Sequence, residues 1–82
     1  MTVDGAYRIT HHARRRMAQR NIAVEEVLAA LNGRRVPRGR KILHYDRHSR
    51  CGAVVQPHER VIVTVMRLTK RQAKRLKYTI RN

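Results

Sequence analysis

A histidine at position 12 is followed by arginines at 16 and 20, and residues four apart sit side by side on one face of an α-helix. Such a line sets a proton-transfer group beside two phosphate-binding cations. Cleaving RNA without a metal requires a base for the 2′-hydroxyl, an acid for the departing 5′-oxygen, and cations for the charge that gathers on the phosphoryl group. Histidine, with an ordinary pKa of about 6.5, suits either proton role, and the rigid fork of arginine suits the phosphate. His44 sits in a segment that alternates as a strand, with Tyr45 on the opposite side, and an outward-facing His44 is the candidate second proton-transfer group. Thr64, a hydroxyl inside an otherwise apolar run, is the candidate that orients or hydrogen-bonds the phosphate. His11 points about 100° away from His12 around a helix and is the weaker choice. His48 and His58 fall in turns, where polar side chains are ordinary surface.

The sequence has no H-E-x-x-H, no paired carboxylates and no glycine-rich phosphate loop, so a metal enzyme is disfavoured and no cofactor is called for. Cys51 has no second cysteine for a disulfide or a zinc site, and is expected as a small buried strand residue. No run of about 18 apolar residues offers a membrane span, and the first residues lack the layout of a secretory signal. These features predict a soluble protein that acts in the cytoplasm and has no membrane partner.

Lys and Arg number 20 against 5 Asp and Glu, a formal net charge of +15 on 82 residues. A domain this basic repels itself unless a polyanion offsets the charge, so nucleic acid is the leading class of partner. The cations fall in three blocks: Arg14 to Arg20, Arg34 to Lys41, and Arg67 to Arg81. From these, Arg15, Arg20, Arg40, Lys41, Arg67, Lys70 and Arg71 are expected to contact RNA. With no Phe, no Trp and three Tyr, the chain lacks the platform on which bases stack, so binding would run through phosphates and shape.

The elements that must position these residues can be read from local signals. Residues 1–5 read as a loose lead-in with a turn at Asp4-Gly5, and residues 7–9 alternate as a short strand. Thr10 is placed as the cap of a first helix that Arg20-Asn21-Ile22 stops, with Asn21 left-handed and Ile22 folded back on Met17. Val24, Val27, Leu28 and Leu31 recur with the spacing of a second, amphipathic helix; Glu25 and Glu26 lie in its first turn and Gly33 ends it. The period then changes. Val36-Pro37 with Gly39 reads as an irregular or an edge strand, followed by strands at 42–45, 51–56 and 61–67, the last placed centrally because it is apolar on both faces. Thr69 and Gln72 form a capping box that opens a basic third helix to about residue 77, with Ala73, Leu76 and Ile80 as its buried contacts. The expectation is one α+β domain over residues 1–82: an N-terminal helical hairpin packed on a four-stranded antiparallel sheet, with a C-terminal basic helix.

The string His12-Ala13-x-x-Arg16-Met17-x-x-Arg20-x-Ile22-x-x-Glu25-Glu26-Val27 resembles the N-terminal signature of the domain-of-unknown-function family 4258, and Val61-Ile62-Val63-Thr64-Val65 resembles its closing strand. The resemblance spans roughly residues 9 to 67. That family looks related to RelE-like toxins and to the wider barnase, EndoU, colicin and RelE-like group of small metal-independent ribonucleases. The resemblance implies that fold, an endoribonuclease of toxin type acting on messenger or transfer RNA, with or without the ribosome, and an acidic antitoxin or immunity protein that restrains it. His12, Arg16, Arg20 and Thr64 match motif positions; His44 does not, and Asn21 stands where the family usually has glycine. Two alternatives remain beside the ribonuclease. One is a basic nucleic-acid binder without catalysis, and the other an interaction module for an acidic protein.

Overall fold

A computed structural model describes the backbone of residues 2–3 and 7–80 and the side chains of residues 7–76. The elements run β1 (Thr2–Val3), β2 (Tyr7–Ile9), α1 (His11–Gln19), α2 (Val24–Leu31), β3 (Arg34–Arg38), β4 (Lys41–Tyr45), β5 (Cys51–Gln56), β6 (Val61–Arg67) and α3 (Lys70–Ile80). The expected turn at Asp4-Gly5 and the expected burial of Ile80 lie outside the described residues.

Both helices at the N-terminal end begin and stop where local chemistry dictates. The hydroxyl of Thr10 accepts from the Ala13 N–H at 3.1 Å and donates to the Val63 carbonyl at 3.1 Å, so the cap that starts α1 also pins it to β6. At the other end Asn21 adopts φ 54°, the Ile22 N–H reaches the Met17 carbonyl at 2.9 Å, and the Asn21 N–H reaches Ala18 at 3.4 Å. This is the Schellman arrangement, closed by burial of Met17 and Ile22 in one cluster. α2 starts with the Glu26 carboxylate accepting from the Ala23 N–H at 3.0 Å. Gly33 then brings the chain into β3 at a place where a Cβ would stand 2.2 Å from the Tyr45 carbonyl oxygen, so close approach of two backbones requires glycine there.

The strands form one sheet in the order β1-β2-β6-β5-β4-β3. β3 to β6 make the expected antiparallel meander. Pro37 sits on the edge strand, where its missing N–H leaves no gap in an inner ladder. The two-residue loop after it puts Gly39 at φ 62°, as a type II′ hairpin requires. β6 lies inside the sheet, as its two apolar faces predicted.

Two parts of the expected fold are corrected. The sheet is six-stranded and mixed rather than four-stranded and antiparallel, because β2 joins β6 in parallel (Arg8↔Val61, Ile9↔Ile62) and β1 adds to β2 antiparallel. Thr2–Val3, expected in a loose lead-in, is therefore an edge strand. A parallel pair needs a long crossover, and here everything from α1 to β5 supplies it. Nor do the N-terminal helices pair as a hairpin: α1 rests on β6, and α2 on β5 and β4. Their apolar stripes are each satisfied by the sheet, as Ala13, Met17, Val27 and Ala30 share a cluster with Cys51, Ala53, Val55, Ile62 and Val65. The opposite sheet face buries Val36, Leu43 and Tyr45 with Leu68 and with Leu76 of α3. Helices thus cover both faces.

Candidate nucleic-acid interface on helix α1

α1 buries Ala13 and Met17 and turns the rest of its surface outward. On that outer side His12 is exposed and Arg16 half-buried, with Arg16 Nε donating to His12 Nε2 at 3.4 Å and Arg16 Nη1 donating to the Gln19 side chain at 3.0 Å. One turn further on, Arg20 is exposed and its Nη1 lies 3.5 Å from the Val65 carbonyl oxygen of β6. The line read from the four-residue spacing therefore exists as a surface. Arg14 and Arg15 are exposed on the same helix and extend the positive surface.

The remaining candidates stand elsewhere. Thr64 pairs with Val54 across β5 and β6, and Val54 packs with the α3 cluster. Thr64 thus belongs to the face of the sheet opposite α1, next to a cavity of about 330 Å³ that Val54 helps to line. His44 pairs with Ala53, which faces α1 and α2, but it lies on β4, with β5 between it and β6. It is 5% exposed rather than outward-facing, and the Tyr7 ring meets it edge-on at 6.4 Å between centroids. Burial, and then the Arg35 guanidinium, lower its pKa below the ordinary 6.5, against a raising influence of the Leu31 main chain. His12 and Arg16 meet, with Arg20 one turn on and bonded to β6; His44 and Thr64 do not join them.

The expected RNA contacts divide in the same way. Arg40 and Lys41 are exposed at the β3–β4 hairpin, and Lys70 and Arg71 are exposed in the first turn of α3. Arg67 has a different task. Its guanidinium forms an ion pair with Glu26 and donates to the Ser49 carbonyl at 3.2 Å and the Asn21 carbonyl at 3.2 Å, tying α2, the β4–β5 turn and the end of α1 together. That pairing, with the Ala23 N–H, holds the Glu26 carboxyl below its usual range. Sequence reading assigned Arg67 to RNA because a cation at a strand end carries no local mark of its partner. Glu26, one of only 5 acidic residues in the chain, was the available signal.

The family model described as "Domain of unknown function (DUF4258)" matches residues 9–72. The chain belongs to the DUF4258 family. No curated protein and no solved structure matches it. The DUF4258 match runs from the end of β2 into the first turn of α3, and so takes in α1 with His12, Arg16 and Arg20 as well as the sheet that supports them. The family description names no reaction.

Proposed function

We propose that this protein is a metal-independent endoribonuclease of toxin type, with its reaction centre on the outer face of α1. The observation that carries the reading is the exposed His12 held 3.4 Å from Arg16, with Arg20 one turn on, in a chain of net charge +15. A strand of RNA lies with its scissile phosphate against Arg16 and Arg20. His12 Nε2 removes the 2′-hydroxyl proton, O2′ attacks phosphorus, and the bond to O5′ breaks as that oxygen takes a proton from solvent water. The products are a 2′,3′-cyclic phosphate and a 5′-hydroxyl end. Arginine serves here because its fork meets two phosphate oxygens at once and its charge persists at every physiological pH. The substrate is messenger or transfer RNA in the cytoplasm, free or on the ribosome, and the surplus positive charge suits an acidic antitoxin or immunity protein as the restraining partner.

The test is incubation of the purified protein with total RNA and with translating ribosomes, followed by identification of the new ends. Cleavage with cyclic phosphate ends, insensitive to chelators, is expected. The His12→Ala change should lower the rate by a factor of about 100 or more, the usual contribution of a general base. One observation favours a second reading: among the described residues, the candidate partners His44 and Thr64 stand away from His12. Under that reading the same face binds RNA without cutting it, and His12→Ala leaves binding almost unchanged.

A further inference from the structure

Arg47 and Arg50 in the β4–β5 turn, with Ala73 and Lys74 of α3, line a pocket of about 250 Å³. No carboxylate lines it, and among the described residues none of its three cations forms an ion pair. Like charges gathered round one small space repel, and an oxyanion between them turns that repulsion into attraction. The turn is built rather than loose. The Asp46 carboxylate accepts from the Ser49 N–H at 3.0 Å and the Ser49 hydroxyl at 2.9 Å, the Arg50 N–H reaches the Asp46 carbonyl at 2.8 Å, and the Leu68 N–H reaches the Arg50 carbonyl at 2.7 Å. Asp46, which precedes Arg47 in the chain, is thereby engaged within its own turn.

The pocket also lies at the end of the sheet where α1 ends. Arg67 donates to both the Asn21 and Ser49 carbonyls, which fixes the end of α1 and the β4–β5 turn at the same end of the sheet. Arg20, the C-cap of α1, and the turn that carries Arg47 and Arg50 therefore stand at the same end of the sheet. We propose that this pocket holds a backbone phosphate of the same polynucleotide strand that lies on α1, as the strand turns around the end of the sheet. The proposal rests on α1 being a nucleic-acid face, but not on catalysis there.

The experiment titrates the full chain with a single-stranded 2′-O-methyl RNA, which has no free 2′-hydroxyl to attack, at several salt concentrations. The Arg47→Gln/Lys74→Gln variant should bind roughly tenfold more weakly, with the slope of log K against log salt shallower by about 0.7 for each phosphate that is no longer neutralised. An Arg8→Gln/Arg38→Gln variant removes the same charge from exposed strand positions outside the pocket, and should change both quantities less than half as much. Equal effects of the two variants would overturn the proposal. A parallel arm adds inorganic phosphate and follows the Arg47 and Arg50 amides by NMR. Phosphate binding there, combined with RNA affinity that the pocket variant leaves intact, means a free-phosphate site and also overturns it. If the pocket variant behaves as proposed while RNA is never cut, the pocket stands and the ribonuclease reading falls. If RNA is cut but the two variants match, the pocket falls alone.

Discussion

His44 shows how much a residue's role depends on what covers it. Strand alternation set His44 and Tyr45 on opposite sides, which it correctly requires, but the inference that one of them faces water fails because helices cover both sides of the sheet and both residues are buried. The consequence is a pH dependence. With its folded pKa lowered, His44 takes up a proton less readily in the folded chain than in the unfolded one, so stability is whole above the unfolded pKa of about 6.5 and falls as pH drops below it towards the folded value. His44→Leu should flatten the decline of the urea midpoint between about pH 7 and pH 5; a decline as steep as that of the unaltered chain would count against a buried, proton-resisting His44. Cys51 was legible from its type alone. It is fully buried, and burial pushes its thiol up to about 11.

Signals confined to one turn of chain survived at the level of elements, and signals that depend on partners did not. The Thr10 cap, the Asn21 stop and the Thr69–Gln72 capping box, with bonds of 2.9 and 3.1 Å, all involve groups within five residues of one another. The parallel pairing of β2 with β6 was not legible, because three residues show little alternation and alternation carries no strand direction. Arg67 is the clearest element-level case, since its partners come from three separate segments. Arg67→Ala should destabilise the fold by about 2 kcal/mol, as expected for removing hydrogen bonds to charged groups, measured by urea unfolding, and Arg67→Lys should recover only part of it. Weakened RNA binding with unchanged stability would return Arg67 to the RNA-binding set. Gly33→Ala sets a Cβ against the Tyr45 main chain at 2.2 Å, and should cost about 1–3 kcal/mol or more because backbone gives way less readily than a side chain. A Gly33→Ala chain as stable as the parent would rule out the close approach of Gly33 to β4.

Across the molecule, the net charge of +15 and the sheet covered by helices on both faces belong together. The apolar residues are taken up by two small clusters, which leaves the outer helix faces, the β3–β4 hairpin and the β4–β5 turn to carry the cations. Composition alone raises the expectation of a polyanionic partner and does not say which cations the fold itself engages: Arg67 pairs with Glu26, while Arg47 and Arg50 line an open pocket. No helix among the described residues is long and apolar enough to cross a membrane. Whether α1 cuts RNA is decided by comparing the unaltered chain with His12→Ala on the same RNA, for cleavage rate and for affinity. Cleavage should fall by a factor of about 100 or more in the variant while affinity changes little, as expected when a proton-transfer group is removed from an intact phosphate-binding face. Cleavage by both proteins at the same rate, or by neither, would refute a reaction centre on α1.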